Sequence, residues 1–218
     1  MTIERTAITR LRKKARPERA ELDALLDSTR VGHFGLNDPL GRPMVIPTAV
    51  VRDGDRVLAH GSTGSPWMRA LAGGAPACLA VTALDGLVVA RSAFESSLHY
   101  RSAVIFGECG VVGADERESA LDLITEALLP GRSGELRRPT PRELDATQVL
   151  ALPIVEWSLK VSDGWPDDPP EDVAGDAWAG VVPMVTSYTT PVPAPDLRSA
   201  IALPASVRQL GQAGPVGR

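Results

Sequence analysis

Val57-Leu58-Ala59-His60-Gly61-Ser62-Thr63-Gly64-Ser65-Pro66-Trp67, residues 57–67, joins a strand, a glycine-hydroxyl loop and a helix start. The apolar run before His60 reads as a buried strand. Gly61 and Gly64 let the backbone turn or approach a ligand closely. Ser65 then stands at an N-cap position and Pro66 at the first helical one, where a missing N–H does no harm. The helix is short, from Pro66 to about Ala72, because Gly73-Gly74 stops it. Hydroxyls and free amides at such a junction can hold a phosphate. A capped loop with turn glycines has the same composition, so the stretch by itself leaves both readings open. A serine nucleophile with a histidine base is a poorer reading. No GxSxG elbow is present, and neighbouring strand residues face opposite ways.

Upstream, a helix is expected over residues 17–28, with Leu22, Leu25 and Leu26 at helical spacing. Residues 31–36, 44–52 and 56–60 follow as an antiparallel meander, turned by Asn37-Asp38-Pro39-Leu40-Gly41 and by Asp53-Gly54-Asp55. Downstream, strands are expected over 77–83 and 87–92, joined by a tight Asp85-Gly86 turn, and then one long strand over 99–112. Residues 115–129 form an amphipathic helix with Ala120, Leu121, Ile124 and Leu128 as its stripe. Thr140-Pro141-Arg142-Glu143 has the pattern of a capping box. Residues 149–161 read as the last strong strand, and 178–188 add one short strand. Six or seven antiparallel strands in sequential hairpins, with flanking helices, predict a mainly β protein closed or nearly closed into a barrel. The organisation expected is an N-terminal arm over 1–16, the barrel domain over 17–188, and an extended or disordered tail over 189–218.

The chain has 218 residues, 44% of them hydrophobic, enough for one well-buried core. Its net charge of -4 argues against a general nucleic-acid binder. The one basic run, from Arg10 to Arg16, reads as a solvated arm. No apolar stretch approaches the length of a membrane span and the N-terminus is not signal-like, so a cytoplasmic protein with no membrane partner is expected. Cys78 and Cys109 lie far apart with no CxxC or Cys/His spacing. That supports neither a disulfide framework nor a metal site, and both read as small buried hydrophobes.

Ser97-Leu98-His99-Tyr100-Arg101-Ser102-Ala103-Val104-Ile105-Phe106-Gly107 is the second informative stretch. A buried arginine needs a partner, and on the residues alone a structural ion pair is the simplest one. Taken together with residues 57–65, and with Leu150-Ala151-Leu152-Pro153-Ile154 ahead of Trp157 and Lys160, this stretch carries a resemblance. From about residue 20 to 161 the chain resembles the pyridoxamine 5'-phosphate oxidase-like FMN-binding split β-barrels. The branch is that of the flavin-nucleotide-binding and nitroimidazole-reductase-like proteins. The resemblance implies a homodimer with flavin mononucleotide at the subunit interface. The isoalloxazine would lie along Val45, Ile46, Pro47, Thr48 and Ala49, held by their backbone. His60, Gly61 and Ser62 would flank the ring or ribityl chain, Thr63 and Ser65 would approach the phosphate, and Ser102 would touch the flavin. Trp157 and Lys160 would reach the site from the partner subunit, and His60 would donate a proton. Relatives commonly carry a phosphate-binding arginine where this chain has Pro66, and Arg69, one turn on, is the substitute. Glu95 stands where many relatives carry a histidine.

The expected function is therefore an FMN-dependent oxidoreductase acting on a small molecule, the flavin itself carrying the electron transfer. The donor is a reduced nicotinamide or another reductant, and with no GxGxxG fingerprint present it cannot be named. The alternative is a non-catalytic flavin- or haem-binding protein on the same fold, with His60 or His99 as the iron ligand. A structural dimer with a decayed site is the third reading. Vitamin B6 oxidation is disfavoured because no set of basic residues for a substrate phosphate is apparent.

Overall fold

The structure, a computed structural model, describes residues 5–212. Its helices are α1 (Arg19–Ser28), α2 (Pro66–Ala72), α3 (Ala114–Leu128), α4 (Pro141–Ala146), α5 (Pro170–Val173) and α6 (Ala205–Gln212). The strands are β1 (Val31–Asn37), β2 (Pro43–Asp53), β3 (Arg56–Ser62), β4 (Ala77–Val89), β5 (Ser97–Gly107), β6 (Gly110–Val111), β7 (Thr147–Pro153), β8 (Glu156–Ser162) and β9 (Gly180–Pro183). All pair antiparallel, in the order β6-β7-β3-β2-β1-β4-β5-β8, with β9 added to β4. This is the split barrel expected from the sequence. Among the described residues it has nine strands rather than six or seven.

Two of the extra strands arise where one apolar run bends from one end of the sheet to the other. The run 99–112 breaks at Glu108-Cys109, so that β5 lies beside β8 while β6 pairs β7. The run 149–161 breaks at Ile154-Val155, and its halves β7 and β8 pair β3 and β5 respectively. Hydrophobicity is continuous across both corners, so a period reading does not see them. The opposite error occurs at Asp85-Gly86. No turn forms there, and β4 runs through with a bulge between Leu84 and Gly86. Asp85 instead accepts two 2.9 Å hydrogen bonds from Arg101, the structural ion pair that the sequence suggested. Gly86 is needed for a different reason: a Cβ there would lie 2.9 Å from the Val182 carbonyl oxygen of β9.

Alternation on β1 buries Gly32, Phe34 and Leu36 and leaves Val31, His33 and Asn37 outside. Phe34, Leu79, Ile105 and Leu152 meet inside the barrel, where Leu22, Leu25 and Leu26 of α1 close one end. A second cluster lies outside the barrel wall, where Ala120 and Ile124 of α3 cover Val51, Leu58 and Val149. The capping box on α4 forms as expected, with Glu143 N–H on the Thr140 hydroxyl and Thr140 N–H on the Glu143 carboxylate.

The basic arm is not simply solvated. The Arg16 N–H donates to the Leu159 carbonyl at 3.0 Å and Ala15 bridges Lys160, so the arm covers the exposed edge of β8. From Thr189 onward no helix or strand forms until α6, so the tail expected to be extended or disordered carries a helix. Its buried Ser206 hydroxyl donates to Glu135 at 2.6 Å. Residues 1–4 of the arm and 213–218 of the tail lie outside the described residues. Among those described, no helix is long and apolar enough to cross a membrane. Cys78 and Cys109 are both free thiols, and burial pushes the Cys109 pKa up to about 11.

Candidate functional site

The site follows from the way β2 is shared. Over Val50 to Asp53 it pairs β3, and over Pro43 to Ala49 it pairs β1. β3 in turn pairs β7 along its whole length, through His60 opposite Val149 to Ser62 opposite Thr147. Past the Val50–Ala59 pair the two strands therefore part company. The edge of β2 that carries Val45, Ile46, Pro47 and Thr48 faces the edge of β3 that carries His60, Gly61 and Ser62, with no strand between them. An unpaired strand edge presents a row of backbone donors and acceptors. The residues expected to hold a planar, amide-bearing ring thus lie on the two lips of one gap.

His60 marks that gap chemically. Its Nδ1 is buried and has no hydrogen-bond partner. A buried polar atom left unpaired is costly and calls for an explanation. Burial also pushes the imidazole pKa below the ordinary histidine range, favouring the neutral ring. Beneath the gap, α2 forms the floor. Trp67 stands with its ring centroid 6.2 Å from that of Phe34, and Met68 is fully buried. Met68 reaches within 3.0 Å of where a Cβ on Gly61 would be, which explains the glycine without a ligand.

The loop hydroxyls divide. The Ser62 hydroxyl accepts the Gly64 N–H at 3.2 Å, and the Thr63 N–H and hydroxyl both donate to the Ala146 carbonyl, at 3.0 and 3.4 Å. These two residues shape the loop. Ser65 occupies the N-cap position of α2, as expected, but its side chain makes no capping bond. Pro66 adds no donor, and the Arg69 side chain is exposed on α2.

Three expected residues lie elsewhere. Ser102 and Lys160 are direct partners across β5 and β8, on the outward face of the sheet. Lys160 is four strands from β2 along the sheet, so one chain does not bring it to His60. Trp157 sits three residues before Lys160, on the opposite face, and packs against the barrel core. Lys160 and Lys14 each place their ammonium 5.9 Å from the Tyr100 ring centroid.

The sequence reading passed over His33. It stands exposed on the outward face of β1, opposite Pro47 of β2 and Ala80 of β4. The alternation of Gly32, Phe34 and Leu36 was the available signal, since it turns His33 outward. Next to it a cleft of about 490 Å³ is lined by Arg30, Val31, His33, Leu84, Met184 and Tyr188, among others.

The model of the pyridoxamine 5'-phosphate oxidase family matches residues 18–161. No curated protein matches the chain. Among solved structures, the FAD and heme binding protein from Mycobacterium smegmatis is 51% identical, over 90% of this chain and 97% of its own, with a TM-score of 0.87. The flavocytochrome Anf3 from Azotobacter vinelandii is 34% identical, over 95% of this chain and 97% of its own, with a TM-score of 0.89. A putative 5-nitroimidazole antibiotic resistance protein from Bacteroides thetaiotaomicron shares the fold at 17% identity, over 67% and 86% of the two chains, with a TM-score of 0.58. With its divided β2, its plugged barrel and these likenesses, the chain belongs to the pyridoxamine 5'-phosphate oxidase family.

Proposed function

We propose that this protein is a flavin- and haem-binding redox protein, with the flavin ring seated in the gap between β2 and β3. The observation that carries the reading is the pair of strand edges left open where β2 and β3 part, one of them carrying His60, whose Nδ1 is buried and unpartnered. The relatives at 51% and 34% identity, named as a FAD and heme binding protein and a flavocytochrome, support it. A bound flavin supplies hydride or single-electron transfer. The chain's own residues bind and orient. The β2 backbone meets the ring's polar edge, and Trp67 with Met68 keeps water from the floor of the gap.

His60 contributes as a neutral imidazole, offering one N–H and one lone pair. Its lowered pKa suits hydrogen bonding to the bound group better than the proton donation the family resemblance implied. His60→Ala is expected to weaken flavin binding about tenfold, the worth of one hydrogen bond in a desolvated site. Fluorescence titration measures this, and unchanged affinity would remove His60 from the site.

The flavin we assign is FAD, for which the relative at 51% identity is named, and Pro66 stands where the resemblance places the arginine that commonly binds the FMN phosphate. FMN is the second reading, favoured by the uncommitted Ser65 hydroxyl at the start of α2. Chromatography of flavin released from purified protein separates the two. Turnover of a small molecule as an oxidoreductase belongs to the same reading and is tested by reoxidation with added acceptors. The partner is a second copy of this chain. Val45, on the outward face of β2 beside the gap, is 64% exposed, where a second chain would cover it. A homodimer would also let Ser102 and Lys160 of one chain approach the gap of the other. A monomer at micromolar concentration in light scattering would exclude that arrangement.

A further inference from the structure

We infer that the haem occupies the cleft between the start of β1 and the chain that follows β9, with His33 as its axial ligand and Arg30 holding a porphyrin carboxylate. This rests on the haem half of the function proposed above. The cleft, about 490 Å³, falls in the range of sites that enclose small ligands. A haem asks for apolar walls, an axial nitrogen and cations for its two carboxylates. Val31, Leu84 and Met184 line the cleft and are 47%, 50% and 43% exposed, so apolar surface stands open there. Arg30 lines it too, and its Nε is buried without a hydrogen-bond partner. Its Nη1 donates to the Asp27 carbonyl at 2.6 Å, which leaves the remaining guanidinium N–H groups for a carboxylate.

The three histidines sort by what already engages them. The His99 Nε2 lies 2.8 Å from the Gly164 carbonyl and is committed. His60 stands at the lip of the β2–β3 gap, where the flavin is assigned. The His33 side chain makes no hydrogen bond to the described residues and lines the cleft.

The far wall of the cleft comes from beyond residue 161, where the family match ends. β9 pairs β4 from Gly86 to Val89, and the Met184 N–H donates to the Asp85 carbonyl at 2.9 Å. Those contacts set Met184 and Tyr188 against the cleft. The site is thus built jointly by the shared barrel and by this C-terminal extension.

The test is an absorbance titration of the full-length protein with haemin, on the natural chain and on His33→Ala, His60→Ala and Arg30→Ala. The natural chain should develop a saturable Soret band. His33→Ala should lose more than about a hundredfold in haem affinity, since even outer partners of a metal ligand are worth about 10–100-fold. Its flavin binding should be unchanged, which shows that the variant is folded. Imidazole added to His33→Gly should restore the axial spectrum. Arg30→Ala should weaken haem about tenfold without altering the spectrum of the bound form. A His33→Ala protein that keeps its Soret band and affinity overturns the site, and so does a His60→Ala protein that loses them. A natural chain that binds flavin but ignores haemin overturns the haem reading itself, leaving the flavin site standing.

Discussion

Phe34→Ala should lower the free energy of unfolding by about 3–5 kcal/mol, the usual cost of emptying a buried aromatic site. Phe34 is fully buried at the centre of β1, between Ile46 of β2 and Leu79 of β4. Its ring also meets Trp67, which ties the barrel wall to the floor of the β2–β3 gap. The surroundings are strands held by ladders on both sides, so they cannot collapse into the space. Urea unfolding followed by tryptophan fluorescence measures the loss through the midpoint. Flavin affinity should fall with it, since α2 loses a contact that holds the gap floor. A midpoint change worth less than about 1 kcal/mol would mean that the interior relaxes freely, contrary to this packing.

Gly86→Val is the second large effect, and it should be local. A Cβ at this position lies 2.9 Å from the Val182 carbonyl oxygen and 3.4 Å from the Pro183 Cα. Both are backbone atoms, so no side-chain rotation relieves the clash. The ladder from Gly86 to Val89 must therefore release β9, at a cost of about 1–3 kcal/mol. The barrel core lies elsewhere and should stay intact. Limited proteolysis should then cut the chain around Trp178 to Tyr188 at least tenfold faster than in the natural protein. Haem affinity should drop as Met184 and Tyr188 leave the cleft, while flavin binding persists. Unaltered proteolysis would show that β9 is not held by this close approach.

Much of the architecture was legible in the chain because local signals and tertiary structure agree there. Pro66 and Gly73 bound α2 as their chemistry requires, and Thr140 with Glu143 caps α4. The alternation in β1 and the Asp53-Gly54 turn place the meander, with Gly54 at φ 57°. The misreadings have one cause. Asp85-Gly86 has turn chemistry, yet the ladders to β5 and β9 carry the strand through it. Glu108-Cys109 and Ile154-Val155 have no turn chemistry, yet the barrel bends there to change neighbours. Long-range pairing decides all three, and no window along one sequence contains it.

The site divides in the same way. The lips of the gap, Val45 to Thr48 and His60 to Ser62, were legible because each lies on one strand with a recognisable pattern. Trp157 and Lys160, both expected to reach the site from a partner subunit, stand on opposite faces of β8, with Trp157 packed on the core. The cleft beside His33 was invisible. Its walls come from residues as distant as Arg30 and Tyr188, brought together only when β9 adds to β4.

The most direct test of the whole account is the absorbance spectrum of purified protein, titrated in turn with FAD and with haemin. The expected result is flavin bands and a Soret band that each saturate on the same chain, with neither ligand displacing the other. A colourless protein that takes up neither at tens of micromolar, about -6 kcal/mol or weaker, would contradict it.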